Sequence, residues 1–301
     1  MSRVGALPAA ALIATAICAQ YPARAHDVVF GPESTLLMSS FDFVTMQGFT
    51  RQRGAAIGHT QQTSATLAGA VSPFTELPLS FVLALPVIAG SGTAPAPSGL
   101  GSAAIGARYR FEIPALRGAI HSDDDYFLLM LALEPPTGNV DHPPLKGPFV
   151  TDFGVLASAE WRPFSANAFF FYRYFGADPQ GNKAGNASFT GLSAAYTPID
   201  RPGAMLGFQV SVSEEARFHD FVAGAPRPNS GGEQIMLSPM VVWSVHPRFR
   251  FFTMASVPIF QALNDPRARD AWRAGIGLSY LFGKSRASPL AEVPPIDALS
   301  P

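Results

Sequence analysis

Twelve stretches of roughly ten residues, most of them alternating apolar and polar side chains, recur along this chain between clusters of Gly, Pro, Asn and Asp. A period of two marks strands with unlike faces. No helical period appears between them. The stretches are 35–47, 55–70, 79–88, 101–113, 125–134, 149–161, 165–176, 185–197, 203–215, 233–245, 248–260 and 271–282. The last places Trp272, Ala274, Ile276, Leu278, Tyr280 and Phe282 on one face, and Arg273, Gly275, Gly277 and Ser279 on the other. The fourth sets Ile105, Ala107, Tyr109 and Phe111 against Gly106, Arg108, Arg110 and Glu112. The sixth sets Phe153, Val155, Ala157, Ala159 and Trp161 against Asp152, Ser158 and Glu160, and the ninth Leu206, Phe208, Val210 and Val212 against Gln209, Ser211 and Ser213. The third and fifth are apolar on both faces.

Composition decides what kind of sheet this is. The chain is 48% hydrophobic and 14% charged, where soluble domains carry about 25% charge. Residues 1–25 read as a secretory signal peptide. Arg3 is its positive end, an apolar run follows from Ala9 to Ala19, and Ala23-Arg24-Ala25 is a small-residue cleavage site. Cys18 follows Ile17, where a lipoprotein needs a small residue, so cleavage after Ala25 leaves a mature chain without cysteine. Beyond this segment no run of about 18 apolar residues exists, which excludes membrane-spanning helices. An exported, apolar, charge-poor chain of strands then has one membrane solution, a closed barrel that pairs every backbone group. A soluble periplasmic β-sandwich is the competing reading. Without Arg3 and Arg24 the net charge falls from −1 to −3, no footprint for nucleic acid.

The connections support the barrel. Arg162-Pro163, Thr197 to Pro202, and His246-Pro247 are short; 89–100, 135–148, 177–184, 216–232 and 261–270 are longer and rich in Gly, Pro and Asn. Short turns on one side and long loops on the other characterise outer-membrane barrels. The expected layout is therefore an all-β, antiparallel up-and-down transmembrane barrel of about 12 strands over 26–282, with periplasmic termini. A Pro-rich periplasmic tail, 283–301, follows it. The expected location is the bacterial outer membrane.

One segment resembles a known family. Gly99-Leu100-Gly101-Ser102-Ala103-Ala104-Ile105-Gly106-Ala107-Arg108-Tyr109-Arg110-Phe111 is similar to the "GLGD-x-x-x-GA-[KR]-YRF" strand of a bacterial outer-membrane barrel family associated with phenol meta-pathway degradation or described as transporters. Leu133-Glu134-Pro135-Pro136-Thr137-Gly138-Asn139 resembles its "PTG[ND]" loop entry, and Gly275 to Phe282 resembles the C-terminal signal read by the barrel-assembly machinery. Ser102 stands where the family has Asp, and 19 residues follow Phe282. The resemblance implies a barrel that moves small solutes, hydrophobic or aromatic ones among them.

Function in such a barrel sits in the lumen and the outer loops. Parity sends Asp42, Arg108, Arg110, Glu112, Asp152, Glu160, Arg173, Arg250 and Arg273 inward, with Phe169, Phe171 and Phe252 as apolar lumen candidates. Asp152 or Glu160 is expected to answer the Arg108–Arg110 pair across the barrel. These charges suit either a mixed-sign path for small solutes or a packed interior of paired ions that plugs the lumen. A third reading is an outer-membrane lipid hydrolase, which needs a Ser–His pair. His59 and Ser64 are the nearest in sequence, but five residues apart they fall on opposite faces, and no nucleophile motif is present. His142 and His219 fall in predicted outer loops. His26, the expected mature N-terminus, and the turn His121-Ser122-Asp123-Asp124-Asp125 have metal-like chemistry, yet neither has a ligand set. No cofactor is expected. The expected partners are membrane lipid, a small solute and the assembly machinery.

Overall fold

A computed structural model describes residues 42–54, 58–71, 79–92, 99–100, 103–112, 126–136, 149–161, 163–201, 204–246, 249–265 and 269–281. The segments 1–25 and 283–301, with the expected cleavage site and tail, lie outside the described residues. Twelve long strands follow one another: β1 (Asp42–Gly54), β2 (Gly58–Val71), β3 (Leu79–Gly92), β4 (Ala104–Glu112), β5 (Tyr126–Glu134), β6 (Val150–Trp161), β7 (Phe164–Phe175), β8 (Ala187–Arg201), β9 (Ala204–Arg217), β10 (Gly232–His246), β11 (Phe249–Leu263) and β12 (Asp270–Leu281). Each pairs antiparallel with its sequence neighbour. β12 also pairs with β1, from Asp42↔Leu281 to Gln52↔Asp270. Every strand therefore has two partners, and the sheet closes on itself without an edge.

Chain direction assigns the two rims. The first residue of β1 pairs with the last of β12, so both ends lie at one rim. The two-residue connections 162–163, 202–203 and 247–248 lie there too. The loops 135–149, 176–186 and 218–231 lie at the other rim. The asymmetry is as expected for these connections, with three exceptions. The connections 72–78 and 113–125 are long on the short-turn side, and 55–57 is short on the long-loop side.

The first strand is shifted from its expected place, 35–47, to Asp42–Gly54. Its second half, Phe49-Thr50-Arg51-Gln52-Arg53, is too polar to read as a strand by itself. It is held by pairing on both sides, to Ala274–Asp270 and to Thr63–His59. This is tertiary context overriding local pattern. Asp42 consequently sits at the first position of β1 rather than mid-strand.

Outside and inside faces separate cleanly. Along β9 the exposed residues Phe208, Val210 and Val212 alternate with buried Gln209, Ser211 and Ser213. Leu83, Ile105, Leu131, Phe153, Leu192 and Ile276 continue the exposed apolar surface around the ring. So wide an apolar belt is incompatible with water and fits a bilayer. Aromatic pairs mark its margins. Phe164 with Tyr196 lies at the short-turn rim, with ring centroids 5.1 Å apart, and Phe149 with Tyr174 at the long-loop rim, 6.2 Å apart. Two such girdles are what interfacial anchoring requires. No helix of the described residues is long and apolar enough to cross a membrane.

Candidate functional site

The barrel interior holds three layers of side chains: an ionic collar near the long loops, an apolar middle and a polar row that crosses both. Each follows from parity plus register, because inward positions of neighbouring strands meet as cross-strand partners.

The collar is built at the upper ends of β5, β6 and β7. Asp152 and Arg173 are direct cross-strand partners. The Arg173 guanidinium donates from Nε to Asp152 Oδ1 and from Nη2 to Asp152 Oδ2, both at 2.6 Å, and from Nη2 to Glu134 Oε1 at 2.7 Å. All three side chains are buried. The fork geometry of guanidinium matches a carboxylate edge to edge, which makes this the strongest type of neutralising contact available in a low-dielectric wall. A second pair is held differently. Arg273 on β12 reaches Glu215 on β9, three strands away, and donates from Nη2 to Oε2 at 2.7 Å. Glu215 also accepts from Nε2 of its cross-strand partner Gln234 at 2.7 Å. This bond ties the closing strand to the middle of the sheet.

Above the collar the loops are knitted together. Asp220, 1% exposed, accepts from the Gly185 amide at 2.9 Å and from Arg217 at 3.0 Å. Its own amide donates to Ser230 Oγ at 2.8 Å. Lys183 and Phe221 exchange backbone bonds, and the Lys183 ammonium lies 5.0 Å from the Phe221 ring centroid. At the tip, the Asp178 carboxyl is held below its usual range. Desolvation acts upward, but the Asn182 side chain and the amides of Asn182, Gln180 and Gly181 outweigh it. The loops 176–186 and 218–231 thus form a fixed crown.

Below the collar an apolar cluster fills much of the interior, with buried Ser80, Arg108 and Gln209 beside it. Val82, Leu128, Met130, Leu156, Phe169 and Phe171 belong to one buried cluster with Phe189, Met240 and Phe252. The doubly apolar third and fifth strands find their inward partners here. Phe169, Phe171 and Phe252, read from sequence as inward, are all buried.

The polar row follows the cross-strand direction. Ser158, Asn167, Ser193 and Ser211 are successive partners on β6 to β9, and Ser211 pairs with Ser238 on β10. Ser238 and Ser256 share a hydroxyl–hydroxyl bond of 2.7 Å, and Ser256 pairs with Arg273. Tilted strands turn such a row into a spiral. It starts near the short-turn end of β6 and ends near the long-loop end of β12.

Of the residues singled out from sequence, Arg108, Asp152 and Arg173 are buried on the inner face, and Arg273 is partly buried there. Asp152, expected to answer Arg108 and Arg110, instead holds Arg173. Arg108 donates from Nε to Ser80 Oγ at 2.8 Å. Asp42, Arg110, Glu112, Glu160 and Arg250 occupy strand positions, but their side chains lie outside the described residues, as do those of His59 and Ser64. Glu134, Glu215, Arg217 and Asp220 were missed. Glu215 continues the parity of Gln209, Ser211 and Ser213 and was legible; Glu134 was hidden in what looked like a loop entry. Among the described residues no three His, Cys, Asp or Glu side chains converge as a metal site. His219 and His246 are exposed.

No family model and no curated protein matches this sequence. Solved structures do match the fold. An outer membrane channel from Pseudomonas putida F1 aligns with a TM-score of 0.62 at 11% identity, over 81% of this chain and 97% of that one. The translocator domain of the autotransporter NalP from Neisseria meningitidis aligns at 0.53, with 10% identity over 81% and 89%. The β domain of the Bordetella autotransporter BrkA aligns at 0.50, with 10% identity over 81% and 100%. With its closed ring of twelve strands, its apolar belt and its two aromatic margins, the chain has the fold of a bacterial outer-membrane β-barrel, and the outer membrane is where that belt belongs.

Proposed function

We propose that this barrel is an outer-membrane channel or uptake protein for small solutes, with hydrophobic or aromatic solutes as its preferred class. The observation that carries the reading is the interior itself: an apolar middle bordered by a paired ionic collar and crossed by a polar row. Apolar lining with a few placed polar groups is how proteins receive small organic ligands. In this reading 1–25 is a cleaved signal peptide, 26–282 the barrel inserted by the assembly machinery, and 283–301 a periplasmic tail. The Gly99–Phe111 stretch supports membership of the phenol-degradation-associated transporter family. A second reading, a structural barrel with a plugged lumen, is favoured by the near-complete burial of the inner side chains.

Conductance of purified protein in planar bilayers separates the two. A channel gives discrete steps, smaller than those of 16-stranded porins in the same salt; a plugged barrel gives none. Lumen charge is tested in the same chamber. Arg108 lies on the inner face with Ser80 as its bonded neighbour. Arg108→Gln removes a fixed positive charge, and the reversal potential across a salt gradient is expected to move toward cation selectivity. An unchanged potential with intact conductance means that Arg108 does not border the path.

A further inference from the structure

Three inner-face phenylalanines lie along the wall rather than standing out from it. Phe171 on β7 is the cross-strand partner of Gly154 on β6, Phe169 that of Gly191 on β8, and Phe252 on β11 that of Gly277 on β12. In each pair the ring covers the glycine so closely that a Cβ added there would overlap a ring carbon. The adjacent rings of Phe169 and Phe171 fold to opposite sides, over β8 and β6, with centroids 6.0 Å apart. The three glycines are therefore slots in the wall, each filled from the neighbouring strand.

Two of the rings also lie at about one depth, Phe169 and Phe252, with Phe171 one inner position nearer the long-loop rim. Cross-strand rows climb toward the long-loop rim from β6 to β12, as the serine row does. Four strand spacings separate β7 from β11, a climb of about 12 Å at a tilt near 40°. Traced onto β9, Phe252 falls in the row of Gly207 and Phe169 in the row of Ser213. Six residues lower along a tilted strand is a descent of about 15 Å. The two displacements nearly cancel, so Phe252 and Phe169 face the lumen at about the same level from different walls. Both belong to the one buried apolar cluster, and Phe252 is only 1% exposed.

We propose that Phe169, Phe171 and Phe252 form the constriction of the lumen, an apolar gate whose bore is set by Gly154, Gly191 and Gly277. A flat ring thickens the wall by about 3.5 Å, where an upright one projects considerably farther. The slots therefore fix how much of the lumen the rings occupy. Apolar rings lining a bore shed water and so resist hydrated ions more than neutral organic solutes; buried Asn167, Ser193 and Gln209 stand on the wall between them. This rests on the channel reading and adds the residues that limit and select the flux.

The test uses potassium chloride conductance of folded, heat-modifiable protein in planar bilayers. Phe169→Ala with Phe171→Ala is expected to raise conductance several-fold. Gly154→Val is expected to push the Phe171 ring inward and lower it several-fold, and adding Phe171→Ala to Gly154→Val is expected to restore it. Wild-type silence with a conducting Phe→Ala variant supports the gate in its closed form. A conducting wild type unchanged by Phe169→Ala with Phe171→Ala overturns the gate and leaves the channel reading standing. Silence in every folded variant overturns both. Where Gly154→Val fails to fold, the Phe→Ala pair decides alone.

Discussion

Arg173→Ala is expected to destabilise the folded barrel by about 3–5 kcal/mol, the effect of removing one partner from a buried ion cluster. The side chain is bonded to both oxygens of Asp152 and to Glu134. Its loss leaves two carboxylates on neighbouring strands, Asp152 at 6% and Glu134 at 4% exposure. They would face one another with little water to screen them. Unfolding by urea in a lipid bilayer, followed by tryptophan fluorescence, gives the number. The cluster need not be stabilising as a whole. Glu134→Met, Asp152→Leu and Arg173→Met together replace it with apolar volume, and stability close to the native value is expected, because the desolvation penalty disappears with the charges. A loss below about 1 kcal/mol for Arg173→Ala alone, the range of exposed pairs, would show that the collar is solvated rather than buried.

These residues also show where sequence reading stops. Parity sends Arg173 and Asp152 inward because each alternates with a good lipid-facing neighbour, and parity is a local property. That they meet depends on register, which follows from the length of the β6–β7 turn. Arg273 and Glu215 are 58 residues and three strands apart. No local pattern encodes a bond across that distance, since it exists only once the ring has closed. The same reasoning covers the strands. Eleven of the twelve expected stretches coincide with β2 to β12 to within a few residues, because their alternation is carried by their own side chains. β1 is the exception: Thr50, Arg51, Gln52 and Arg53 look like a loop until β2 and β12 supply backbone partners. The phenylalanine–glycine pairs were half legible. Parity places the rings inward and the glycines on the inner face of β6, β8 and β12, but their fit again requires the register.

The outward face makes the claim that separates a membrane barrel from a soluble one. Leu192 lies midway along β8 and is 67% exposed. In water, Leu192→Arg would be neutral or mildly favourable, since it covers apolar surface with charge. In a bilayer it buries a guanidinium near the midplane, at a cost of about 2–4 kcal/mol. Phe249, the first residue of β11, is also exposed, but it lies at the short-turn rim beside His246, with ring centroids 5.8 Å apart. Phe249→Arg can reach the headgroup region, so its cost is expected to fall to about 0–1 kcal/mol. The two variants share one substituent and one face and differ chiefly in depth. Urea unfolding of both in the same lipid gives the depth profile directly. A harmless Leu192→Arg would remove the belt from the bilayer and with it the membrane reading. Equal damage at both sites would mean that the surface is covered by protein rather than lipid, because packed protein penalises charge without regard to depth.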